Sequence, residues 1–198
     1  MRSIILASSS PYRAQLLKRL GLPFQALSPE VDETARSTET PAALAQRLAC
    51  DKACALAGTH PDSLIIGSDQ VACLNGQAMG KPGTHTNALL QLKAAQGEWV
   101  DFHTGVCVYD SKTGQEYSKL ATYRVKFKSL TEKQLDTYLT LEKPYDCAGS
   151  FKSEGLGITL FEQMEGADPT GLIGLPLITL TSLLTLAGID PLSPKPSK

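Results

Sequence analysis

Between Leu64 and Gly76 the chain reads LIIGSDQVACLNG, and few arrangements accommodate that text. It opens as an apolar run of strand length, and its Asn75-Gly76 is the dipeptide a tight hairpin turn asks for, between VACL and QAMG. A carboxylate, Asp69, stands directly against the apolar run, where an unpaired charge is costly. Either Asp69 is the polar start of a turn, or the strand exists to hold it. The first expectation is that Gly67 and Ser68 lead the backbone out of the apolar layer, so that Asp69 faces water and Gln70 faces a ligand.

The surrounding text alternates strand and helix. SIILA (Ser3–Ala7) predicts a short buried strand, followed by SSSP, which supplies an N-cap serine and a proline for the first helical position. An amphipathic helix with Leu16, Leu17 and Leu20 on one face follows and stops at Gly21. FQALSPEVDET reads as a strand running into an acidic loop, and TPAALAQRLACDKACALAG as a second capped helix ending near Gly58. KPGTHTNALLQLKAAQG predicts a loop and third helix. EWVDFHTGVCVYD and EYSKLATYRVKFKSL alternate as a long antiparallel pair joined around Ser111 to Gly114. A helix capped by Thr131, a glycine-rich loop and strand, and a final helix in GLPLITLTSLLTLAG complete the chain. Two hairpins break a purely parallel pattern, so the predicted class is α/β or α+β, a mixed sheet flanked by helices. Residues 1–190 read as one domain, and 191–198 as a frayed tail.

Length and charge narrow the function. A chain of 198 residues suffices for one sizeable core or one domain with a second lobe. Nineteen basic against twenty acidic residues leave no excess for DNA or RNA. The N-terminal apolar run is too short for a signal peptide, and the C-terminal one falls short of the roughly 20 apolar residues of a membrane span. The expectation is a cytosolic protein with no membrane partner. Five cysteines, with no CxxC pair, agree with that compartment. Cys50 and Cys54 share a helix face with His60 near in sequence, but they read as small buried thiols rather than as a zinc site.

Chemistry concentrates at a few places. Ser8, Ser9 and Ser10 at a helix N-terminus suit an anion, and Arg13, one turn in, adds a donor for phosphate; a capped helix with a surface arginine would give the same text. Glu30, Asp32 and Glu33 crowd one loop, a solvated face unless another carboxylate joins them to bind Mg²⁺ or hold a water. Asp69 is the available partner, and Lys52 and Lys81 are the available cations. No GxSxG elbow, Walker-A loop or GxGxxG is present.

Seven separated stretches resemble, in order, the Maf family of nucleoside triphosphate pyrophosphatases: IILASSSPYRAQLLKRLG, SPEVDET, LACDKACALA, IIGSDQV, GKP, CAGSFKSEGLGITLFEQMEG and LIGLPL. The resemblance implies a mixed, strongly twisted sheet with two lobes around a cleft, related to inosine triphosphate pyrophosphatases, and commonly a homodimer. It implies hydrolysis of a nucleoside triphosphate to monophosphate and pyrophosphate with a divalent cation, Mg²⁺ or Mn²⁺. Carried over, Asp69 is the proton acceptor; Asp32, Glu33, Lys52 and Lys81 complete the catalytic set. Ser8 and Arg13 hold phosphates, and Glu33 and Asp69 face the metal.

Tyr12, Gln70 and Glu154 stand where the subgroup of that family associated with 7-methyl-GTP carries an aromatic residue, Gln and Glu. An aromatic face attracts the positive ring of 7-methylguanine. Glu154 can accept the N1–H and 2-amino donors, which pyrimidines lack. A dTTP- or UTP-directed or broad pyrophosphatase is the alternative within the class, and a nucleotide sensor acting on cell division without turnover the alternative outside it.

Overall fold

A computed structural model describes residues 2–193 of the chain. It contains one mixed seven-stranded sheet, ordered β2-β1-β3-β5-β6-β7, with the short β4 attached to β3. β1 (Ser3–Ala7) lies parallel to both β2 (Gln25–Leu27) and β3 (Ser63–Leu74), and every other pairing is antiparallel. β5 (Trp99–Asp110) and β6 (Gln115–Phe127) form the long pair expected from their alternation, and β7 (Phe161–Gly166) closes the far edge. The fold class is the predicted one.

The helices begin where the capping residues stand. Ser10 caps α1 (Pro11–Lys18), Thr40 caps α2 (Pro41–Cys54), Thr84 caps α3 (His85–Ala95), and Thr131 caps α4 (Glu132–Glu142) in a complete capping box with Gln134. α5 (Leu177–Leu186) follows Pro176. Asn75 and Gly76 both take positive φ in the β3–β4 turn, as a primed hairpin turn requires. Among the described residues, no helix is long and apolar enough to cross a membrane. The tail expected over 191–198 lies outside the described residues from 194 onward.

Three layers result. α2 covers one face of the sheet, where Ala49 and Ala53 meet Ile5, Ile65 and Cys107. The opposite face carries two separate cores along the same strands. At one end α1 and α5 pack Leu16, Leu17, Leu180 and Leu184 onto Ile66, Val106 and Val108. At the other, α3 and α4 pack Leu92, Leu135 and Leu139 onto Val100, Phe102 and Val125.

The opening stretch departs from expectation in one respect. β3 does not leave the apolar layer at Gly67; it runs unbroken through Asp69 and Gln70 to Leu74. Gly67 has a different task. A β-carbon there would lie 2.0 Å from the Ala49 carbonyl oxygen, and one at Gly105 on β5 would lie 2.2 Å from that of Ala45. Two glycines and three alanines thus let α2 sit almost on the sheet backbone. The cysteines of α2 also differ from the buried thiols expected: Cys50 is half-buried and Cys54 exposed, because both lie toward the rim of that contact.

Candidate active site

β3 has two neighbours on one edge. β1 pairs with Ser63 to Gly67 and β4 with Ala72 to Leu74, so Ser68 to Val71 have no strand beside them on that edge among the described residues. A cleft of about 640 Å³ opens there, lined by the N-terminus of α1, the acidic loop, α2, the start of the segment after β4, and the glycine-rich loop. That volume is in the range of small-ligand sites.

Asp69 is on the floor of this cleft. Odd-numbered residues of β3 face α2 and even-numbered ones face the opposite layer. Because α2 lies so close, the ammonium of Lys52 reaches Asp69 Oδ1 at 2.6 Å, and the same nitrogen holds Glu33 Oε1 at 2.6 Å. Lys52 and Asp69 are both buried. A buried carboxylate needs such a partner, and a pair this close satisfies it. Asp69 Oδ2 makes no hydrogen bond with any described residue. Hydrogen bonding to Lys52 pulls the Glu33 carboxyl below its ordinary pKa, with smaller help from the charges of Lys81 and Arg13.

The other expected residues distribute around this group. Ser8 Oγ accepts the Ser10 N–H at 3.1 Å and lies 3.4 Å from a terminal nitrogen of Arg13. Arg13 Nε donates to the Gly174 carbonyl at 2.8 Å, which aims the guanidinium into the cleft. Desolvation lowers the Arg13 pKa, against the opposing pull of Asp69 and Glu33. Lys81 is exposed on the opposite wall. Asp32 is not brought to the group: it is exposed, its Oδ1 accepts the Thr34 N–H at 2.9 Å, and it lines a separate outer groove with Arg36 and Arg47. Adjacent residues of an extended loop point in opposite directions, so turning Glu33 inward turns Asp32 out.

Tyr12 and Glu154 line the far end of the cleft, with Glu154 exposed and its Oε2 3.3 Å from Ser153 Oγ. Lys152, which the sequence did not single out, lies beside Tyr12; burial would lower its pKa, but Tyr12 and nearby Cys147 and Asp146 outweigh that and raise it. Gln70 lines the cleft from the even face. Its Nε2 is within hydrogen-bond distance of Thr104 Oγ1 (3.1 Å) and of the Gly171 (2.6 Å) and Leu172 (3.1 Å) carbonyls, so only its Oε1 remains for a ligand. Ser68 Oγ on the same face shares its one proton between the carbonyls of Gly105 and Gly174, at 2.8 and 2.9 Å. The Gly174 carbonyl therefore takes both Ser68 and Arg13, a junction that only the folded chain reveals.

Glu33 and Asp69 suit a hard divalent cation. Their oxygens already gather around one positive charge, and carboxylate oxygen is the donor Mg²⁺ and Mn²⁺ prefer.

Comparison with known proteins bears on this arrangement. The profile described as "Maf-like protein" matches residues 3–187. A protein of Nitrosococcus oceani named 7-methyl-GTP pyrophosphatase is 52% identical over 186 residues, 94% of each chain. One of the same name from Burkholderia lata is 55% identical over 187 residues, 93% of this chain and 89% of that one. Another from Colwellia psychrerythraea is 48% identical over 193 residues, 98% and 96% of the two chains.

Proposed function

Since the chain belongs to the Maf family, we propose that it hydrolyses 7-methyl-GTP to 7-methyl-GMP and pyrophosphate. Its relatives at about half identity carry that activity in their names. The observation that carries the reading is the single buried ammonium of Lys52 holding Asp69 and Glu33 at 2.6 Å each in a cleft that Arg13 and Lys81 also enter.

Such a site can perform the reaction. Water attacks the α-phosphorus, its oxygen forms the new P–O bond, and Asp69 Oδ2 takes the proton. The bond to the bridging oxygen on the β-phosphorus breaks, and its electron pair leaves with pyrophosphate. Arg13 and Lys81 offset the charge that builds on that leaving group, while the N-terminus of α1 and Ser8 hold phosphate oxygens. Lys52 holds both carboxylates in place and pulls the Glu33 carboxyl below its ordinary pKa. Glu33 and Asp69 would hold the divalent cation, which when bound lowers the pKa of water and screens phosphate charge.

Recognition of the base falls to the other end. Tyr12 offers a face to the cationic ring, an attraction of about 0.5–2 kcal/mol. Glu154 accepts donors that only guanine presents, and Gln70 contributes by fixing the backbone at Gly171 and Leu172. The reading extends to a cytoplasmic setting, expected from the short apolar runs and the cysteines, and to a homodimer, which the family resemblance implies.

The test is pyrophosphate release from 7-methyl-GTP, GTP, dTTP, UTP and CTP, with and without Mg²⁺, repeated with Glu154→Gln. The expected result is a preference for 7-methyl-GTP that narrows in the variant. A dTTP or UTP preference overturns the specificity, and binding without turnover overturns the activity.

A further inference from the structure

α2 presents a second chemical group two residues before Lys52. Cys50 reaches over the rim of the sheet to Glu116 on β6, its thiol donating to Oε1 at 3.3 Å. Cys107 on β5 lies beneath it, fully buried. The two sulfurs and the Glu116 oxygen all lie within 4.8 Å of one another. Cys54, one helical turn on from Cys50, is exposed. Ser118, the register partner of Cys107, donates to the same Glu116 oxygen at 3.2 Å and orients it. None of these residues lines the cleft.

Donors from three separate elements converging this closely are an unusual arrangement for thiols that merely fill space. Two sulfurs and one carboxylate are the donor set of a thiophilic cation, with Zn–S about 2.3 Å and Zn–O about 2.0–2.2 Å. Drawing three atoms already this close onto one ion needs only small side-chain shifts, the largest by the exposed Glu116. The hard cation expected at Glu33 and Asp69 takes oxygen donors and would not choose this place. We propose that Cys50, Cys107 and Glu116 form a binding site for one thiophilic divalent cation such as Zn²⁺. Binding replaces the thiol protons, which pass to solvent, and involves no oxidation. Such an ion would tie α2 to β5 and β6.

The full chain, reduced, stripped with a chelator and desalted, is titrated with Cd²⁺ while the sulfur-to-cadmium charge-transfer absorbance is followed; Zn²⁺ is then tested by competition. Saturation near one ion per chain is expected. Cys50→Ala, at a half-buried position, and Glu116→Gln, at an exposed one, should each weaken binding at least about tenfold, the lower end of what loss even of a supporting group costs a metal site. Cys107→Ala should do the same, with its fold checked by circular dichroism, and Cys73→Ala and Cys147→Ala should bind as wild type. Wild-type binding no tighter than that of Cys50→Ala overturns the site, as does a band that depends on Cys73 or Cys147 instead.

Discussion

One ammonium serving two carboxylates makes Lys52 the residue on which the site's electrostatics turn. Lys52→Met would strand a buried Asp69, and loss of one partner of a buried pair costs about 3–5 kcal/mol; urea unfolding measures it. The same change should raise the Glu33 pKa toward its ordinary 4.5. The sign follows from the depressed folded value. The Lys52–Glu33 contribution is complete above the ordinary pKa and disappears as pH falls through the lowered one, so in the variant Glu33 protonates at higher pH. Carboxyl-carbon NMR titration reads that directly. Asp69→Asn keeps an oxygen for Lys52 but cannot take a proton, so turnover should fall by at least about 10²-fold with the fold intact. Unchanged turnover would remove Asp69 from the role. Ser68→Ala should cost about 1–3 kcal/mol, because the buried donor shared by two carbonyls is lost, and should loosen the Gly174 junction that aims Arg13. A rise in KM without an equal loss in kcat would mark that positioning role. Asp69, Lys52 and Arg13 were legible as residues because motifs named them. The Ser68–Gly174–Arg13 junction was not, because it joins side chains to a backbone carbonyl more than a hundred residues away in sequence.

At the scale of elements, the contact between α2 and the sheet decides whether Lys52 can reach Asp69 at all. Gly105→Ala would press a methyl group onto the Ala45 carbonyl and adjoining backbone, and neither side can yield cheaply. A loss of about 1–3 kcal/mol is expected from overpacking, with a drop in turnover larger than the stability loss explains, because α2 carries Lys52 outward. Full activity in that variant would show that the close approach is not needed. The helix starts and β1 could be read from local text, since caps and apolar runs are local signals. The role of Gly67 could not, because a glycine inside a strand signals either a change of course or a close neighbour, and the neighbour here is a helix whose own sequence looks ordinary. The loop before α2 is held by Arg47, which bonds Glu39, Asp51 and the Thr34 carbonyl. Its hydrogen bonds lower Glu39 to about 2, so this clamp should persist through mild acid and release only in strong acid.

Across the whole molecule, β5 and β6 run beneath both cores on the helical face. Val100 and Phe102 belong to one core, Val106 and Val108 to the other, on one unbroken strand. The two cores should therefore melt together, with calorimetric and van't Hoff enthalpies in agreement; two resolved transitions would contradict this. The mixed sheet followed from the alternation of elements. Where the cleft would open did not, because it depends on where β1 stops and β4 starts along the same edge of β3. That interruption has a consequence for how the protein tolerates change. A bare strand edge ordinarily invites other chains to pair with it. This one spans only Ser68 to Val71 between two partners, too short for an intruding strand to gain a foothold, yet it leaves main-chain donors and acceptors turned toward whatever enters. Those groups belong to every amino acid alike. Side chains around the rim can thus be exchanged over evolution to fit a different base, while a fixed strip of peptide backbone continues to greet the ligand.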